Sequence, residues 1–203
     1  MTPMLIGKKI GMTQIFTEDG AVVPVTVINA GPCVVTQVKT VEKDKYNAIQ
    51  LGFGHTKKLT KSIAGHLTKA GATSQICREN RLDDVGKFKV GQKIDVAIFE
   101  EQTHVNVSAI SKGKGFAGVI KRHNFHRGPE THGSGHHRKP GSIGGMFPQR
   151  VLKGQKLPGH MGAEKVTVQK LQLVKIDKAN NLLVVLGAIP GSNGSIVEVR
   201  GVA

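Results

Sequence analysis

Between Ser111 and Glu164 the sequence offers no period on which a helix or a long strand could be built. Glycine and proline recur throughout SKGKGFAGVIKRHNFHRGPETHGSGHHRKPGSIGGMFPQRVLKGQKLPGHMGAE. Its cations are Lys112, Lys114, Lys121, Arg122, Arg127, Arg138, Lys139, Arg150, Lys153 and Lys156, against only Glu130 and Glu164. Five of the nine histidines lie between His123 and His137. A run this long without secondary structure is uncommon inside a compact domain and is usually functional or disordered. It cannot bury enough apolar surface to order itself, and folding against a partner solves that problem. The chain as a whole carries +15. The excess is clustered rather than mixed, so it calls for an anionic partner, either nucleic acid or an acidic membrane surface.

The flanks read as β structure. Aromatic content is 4% with no Trp, so the core must come from Val, Ile, Leu and Ala. Met4–Ile6 is a short apolar start. Met12–Phe16 and Ala21–Ile28 flank Asp19-Gly20, a good hairpin signal. Pro24 within the second run argues for an edge or a bulge. Strand patterns follow over 33–40, 46–53, 76–82, 93–99 and 104–110, with Lys43-Asp44-Lys45 as a charged turn. Leu59, Ile63 and Leu67 fall four apart between His55 and Gly71, which predicts a short or irregular helix that interrupts the strands. Beyond the basic stretch, 165–176 alternates, 182–186 is apolar throughout and 195–200 closes the chain. About eight short strands at this spacing predict a β-barrel or sandwich. The basic stretch interrupts that fold between two strands, so its ends should lie together. Half its length at ~3.3 Å per residue bounds its reach at roughly 80 Å.

Cys33 and Cys77 have no metal or disulfide spacing, and two free thiols fit a reducing compartment. The N-terminus reads as no signal peptide, and no stretch approaches the ~18 apolar residues of a membrane span. Gly113-Lys114-Gly115-Phe116-Ala117-Gly118 matches GxGxxG. A dinucleotide site also needs a helix opening on the third glycine and an acid ~20 residues on. The sequence predicts neither, and the acid's position falls near Arg138 and Lys139. Close backbone approach to phosphate is the better use of these glycines, with Lys112 and Lys114 neutralising it. The histidines lack the cysteines or carboxylates that usually complete a zinc site. They fit base stacking or phosphate contacts instead. No acid–base pair or nucleophilic triad stands out.

Several segments resemble the large-subunit ribosomal protein L3 family in its bacterial or organellar form. These are Gly7–Phe16, Ser111–Gly118 with Lys121-Arg122, Thr131–Ser134, His137-Arg138, Pro140–Gly144, Lys153-Gly154, Gly159–Gly162, Asn181–Leu183 and Gly187–Gly191. They run in order along essentially the whole chain. The resemblance implies a translation-protein-type β-barrel with an extension that enters the rRNA core towards the peptidyl-transferase centre. It also implies binding near the 3′ end of the large rRNA, an early role in subunit assembly, neighbouring large-subunit proteins, and a scaffold rather than an enzyme. Some bacterial members carry a glutamine methylated on its side-chain amide near the tip of the extension. Counting back from Val151–Gly154, the matching position here is Met146. We therefore expect no such modification, and a +14 Da mass on Gln149 in ribosome-derived protein would overturn that.

The expectation is thus a mainly β chain. Residues 1–110 and 165–203 form one β-barrel domain, with a small irregular or helical insertion around 55–75. Residues 111–164 form an extended, largely irregular, rRNA-penetrating loop. RNA contacts fall to Lys112, Lys114, Lys121, Arg122, His123, His126, Arg127, His136, His137, Arg138, Lys139, Arg150, Lys153, Lys156 and His160, with Gly144, Gly145, Met146 and Phe147 at the tip. No catalytic residue, metal, cofactor, small-molecule substrate or membrane is expected. The place is the ribosome, cytoplasmic or organellar. The rival readings are a nucleotide-binding enzyme using Gly113–Gly118 and a non-specific DNA-binding protein.

Overall fold

The computed structural model describes residues 4–202, so the first three residues and the last of the expected β domain lie outside it. The Asp-Gly signal forms its hairpin. Strand β1 (Met4–Phe16) pairs antiparallel with β2 (Val22–Ala30), from Phe16↔Val22 to Gly7↔Ala30. The register shifts between Lys9 and Gly11. The separate apolar runs at Met4–Ile6 and Met12–Phe16 are therefore one bulged strand. Lys8-Lys9 hides this continuity in the sequence. Yet Lys9 is buried, and its ammonium donates to the carbonyls of Ile189 (2.9 Å) and Gly191 (3.2 Å). Buried charge is tolerable only when hydrogen-bonded in this way.

Four more strands join the hairpin: β7 (His104–Ile110), β10 (Lys165–Asp177), β11 (Leu182–Leu186) and β12 (Ile196–Gly201). They close a ring in the order β1-β12-β7-β10-β11-β2, antiparallel throughout. Inward positions alternate as a pleat requires, with Val105, Val107 and Ala109 on β7 and Val197 and Val199 on β12 all buried. The shift from Val168 to Leu171 in the β10 pattern is a register break in its pairing with β7. Lys170 sits there at φ 53°, and its N–H donates to Asn106 Oδ1 at 2.8 Å. Pro24 lies beyond the last β2–β11 pair, Leu186↔Val25, where its missing N–H costs no ladder bond to β11.

The expected translation-protein-type β-barrel holding all the strands is corrected by this pairing. Strands β3 (Cys33–Lys39), β4 (Ala48–Phe53), β5 (Ile76–Arg81) and β6 (Lys93–Ile94) form a separate open sheet, in the order β5-β4-β3-β6. One buried cluster serves both sheets, with Met4, Leu5, Ile6, Ile28, Ile49, Leu51 and Leu183 fully enclosed. The stretch 93–99 is not one strand either. It stops at Ile94, and Val96–Phe99 is a 3-10 turn. Val96 and Phe99, three apart, face the core together because a 3-10 turn repeats every three residues. The charged turn at 43–45 is a single helical turn, α1 (Val41–Asp44), closed by Lys45 at φ 66°. The 55–71 helix shrinks to α2 (Lys61–Thr68). Only Leu67 of its apolar triplet is buried, and Ile63 stays exposed.

Both cysteines are free thiols. Burial pushes the Cys33 thiol up to about 11, partly offset by its hydrogen bond with the Ile6 backbone. The chain divides into two compact units. One is the β unit, which runs to Ile110 and resumes at Lys165, and the other is Ser111–Glu164.

Candidate nucleic-acid interface

The Ser111–Glu164 unit closes at its own base. The Ser111 N–H donates to the Glu164 carbonyl (2.9 Å), Lys114 N–H to Met161 (2.9 Å) and Met161 N–H to Gly115 (3.0 Å). A two-residue ladder follows, between β8 (Phe116–Ala117) and β9 (Gly159–His160). Gly162 is at φ 77°, and a Cβ there would lie 2.2 Å from the Lys112 carbonyl oxygen. The close return of the chain therefore depends on that glycine.

A helix does open on the third glycine of Gly113–Gly118, contrary to the sequence reading. α3 (Val119–His123) starts after Gly118 and ends at Asn124 in the left-handed region. Its start is fixed by packing, since Ala117 and Val119 are the two buried hydrophobic residues of this unit. Lys121, Arg122 and His123 in its last turn suit the negative end of the helix dipole. Five residues of helix give no Rossmann unit, and the acid such a site needs ~20 residues on is missing.

The predicted contact residues divide by what their side chains already do. Arg122 Nη1 donates to the Leu157 carbonyl at 2.8 Å, and His123 Nε2 lies 3.0 Å from the same oxygen. Both tie α3 to the returning chain, and His123 is half-buried. Arg127 pairs with Glu130, and His137 Nδ1 lies 2.9 Å from the Pro129 carbonyl. The Gly128 N–H donates to the His137 carbonyl (2.9 Å), while a Cβ on Gly128 would sit 2.0 Å from the His136 carbonyl oxygen. Lys112, Lys114, Lys121, His126, His136, Arg138, Lys139, Arg150, Lys153, Lys156 and His160 are exposed. Among the described residues none of these side chains has a hydrogen-bond or ion-pair partner.

The expected tip presents Met146 and Phe147 at 82% and 79% exposure, beside Gly144 and Gly145. Ile143, Val151 and Leu152 are exposed nearby in the chain. Phe116, which is not among the expected contact residues, is also 79% exposed. Its position between Lys114 and the next cations was the available signal for including it. Among the described residues no group of three or more His, Cys, Asp or Glu could hold a metal ion, and no helix is long and apolar enough to cross a membrane.

A β scaffold joined to an acid-poor unit whose cations are mostly unpaired has the charge of a polyanion-binding class of protein. The pattern describing "Ribosomal protein L3" matches residues 84–184. The "Large ribosomal subunit protein uL3" of Carboxydothermus hydrogenoformans is 54% identical over 97% of this chain and 95% of its own length. That of Pelotomaculum thermopropionicum is 53% identical over 98% and 96%, and that of Heliobacterium modesticaldum 52% over 97% and 95%. The chain belongs to the ribosomal protein L3 family. It is a ribosomal, RNA-binding protein of translation and not an enzyme.

Proposed function

We propose that this chain is a structural constituent of the large ribosomal subunit that binds large-subunit rRNA near its 3′ end. It supports early subunit assembly and extends residues 111–164 towards the peptidyl-transferase centre. Its partners are that rRNA and neighbouring large-subunit proteins, in the cytoplasmic ribosome. The observation that carries this reading is the set of exposed, unpartnered cations in 111–164, with Glu130 already committed to Arg127. Lysines and arginines so placed release condensed counterions when they meet phosphates. Glycines let the backbone approach the RNA closely, and Met146 and Phe147 offer apolar surface for unstacked bases. Specificity comes from RNA shape and 2′-hydroxyls rather than a base code.

Lys153 and Lys156 are exposed, with no side-chain partner among the described residues to lose. Lys153→Ala with Lys156→Ala is expected to weaken binding to the 3′ domain of large-subunit rRNA. The slope of log K against log salt should shrink by about 1–2, at ~0.7–0.9 per phosphate contact. Thermal stability should not change. An unchanged slope in a filter-binding salt series would remove these two residues from the interface.

A further inference from the structure

The β unit carries a second cationic surface around α2, the short helix that interrupts its strands. Between Asp44 and Glu79 the chain has no acid, yet it holds Lys57, Lys58, Lys61 and Lys69. All four are exposed, and among the described residues their side chains have no partner. Their placement is unfavourable for the protein alone. Lys61 stands in the first turn of α2, where the helix dipole is positive, and no acid in that turn offsets it. Thr60 makes no side-chain cap. Its hydroxyl lies 3.3 Å from that of Ser62.

α2 is held by a narrow anchor. Leu67 is its one buried residue, and His66 Nε2 meets Gln50 Oε1 at 2.6 Å, which in turn accepts from Thr36 Oγ1 at 2.7 Å. Alongside this anchor runs a groove of about 530 Å³ between α2, α1 and β3. Lys43, His66 and Lys69 line it, and Gly65 leaves one wall without a side chain. Asp44 is its one acid. Apart from Asp44 the surface is of one sign, and it is concave.

We propose that this groove, together with Lys57, Lys58 and Lys61 at the other end of α2, binds an RNA sugar–phosphate backbone as a second contact, separate from residues 111–164. The inference rests on the rRNA-binding reading above. A phosphodiester strand along α2 would place anions at the uncapped helix start and between Lys43 and Lys69. It would thereby satisfy charges that repel one another in the free protein.

The test uses the full chain and a transcript of the 3′ domain of large-subunit rRNA. Lys57→Gln, Lys58→Gln, Lys61→Gln and Lys69→Gln together remove four charges, and at Lys61, the one position inside α2, leave a good helix former in place. The salt slope should fall by about 2–3, and backbone protection should be lost at nucleotides that the Lys153/Lys156 variant still protects. A second variant separates binding from folding. Lys61→Glu complements the helix dipole, so it should raise the melting temperature of the free chain by about 1–3 °C while lowering rRNA affinity several-fold. A merely structural lysine would move both in the same direction. Unchanged slope and protections in the quadruple variant would overturn the second contact, and so would Lys61→Glu with unaltered affinity. If the intact chain fails to bind the transcript at all, the rRNA-binding reading itself falls.

Discussion

Replacing residues 112–163 with a short glycine–serine turn is expected to leave the β unit folded and to remove most of the rRNA affinity. The splice is geometrically cheap, because Ile110 and Lys165 already face each other as a β7–β10 pair. Just two hydrophobic residues of the excised unit, Ala117 and Val119, are buried, so little core leaves with it. At ~0.7–0.9 per phosphate contact, losing six or more contacts should cut the slope of log K against log salt by about 4 or more. The slope remaining should be the 2–3 assigned to the α2 surface. Calorimetry should still show one cooperative transition. Loss of that transition would mean the β unit needs the excised segment to fold, and a full-size slope would place the phosphate contacts elsewhere.

Phe99→Ala is the substitution expected to cost the most stability. Phe99 is the one fully buried aromatic among the described residues, and it ends the 3-10 turn that leads into β7. It packs in the cluster shared by both sheets. Removing a buried phenyl ring costs about 3–5 kcal/mol through lost burial and the cavity left behind. That is a large share of the ~5–15 kcal/mol typical of a folded protein. Urea unfolding should show the midpoint falling steeply with little change in slope. A loss under ~1 kcal/mol would mean that the two sheets close over the cavity and do not hold a fixed core between them.

The sequence made the strands legible wherever a local rule decides. Asp19-Gly20 marks the hairpin, and Val105, Val107 and Ala109 mark an inward face. What stayed hidden is non-local. Strands 33–39 and 48–53 have the same pattern as strands of the ring, and alternation does not say which sheet a strand joins. The 93–99 run misled because Val96 and Phe99 bury equally well at a spacing of three, which strand patterning does not register. α3 was missed because its five residues are fewer than helical periodicity needs to show, and its start depends on packing around Val119.

For the interface, residue type and clustering singled out the cations of 111–164 as candidates. They could not show which ones the fold already uses. Arg122 and His123 reach a carbonyl 35 and 34 residues away, a closure that only the folded chain reveals. Arg127 and Glu130, three apart, were a readable pair. The α2 lysines went unread as a surface because four cations spread over 57–69 look like ordinary solvated charge until Gly65, His66 and Lys43 are seen around one groove.

The proposed function requires this chain to prefer large-subunit rRNA over other polyanions. The most direct measurement is salt-dependent binding of the intact protein to the 3′ domain of that rRNA, with duplex DNA of equal length as competitor. Recognition by A-form shape and 2′-hydroxyls predicts that rRNA stays bound, with a steep salt slope, at DNA concentrations well above its own. Equal competition by the duplex would reduce the protein to a non-specific cation and contradict the account.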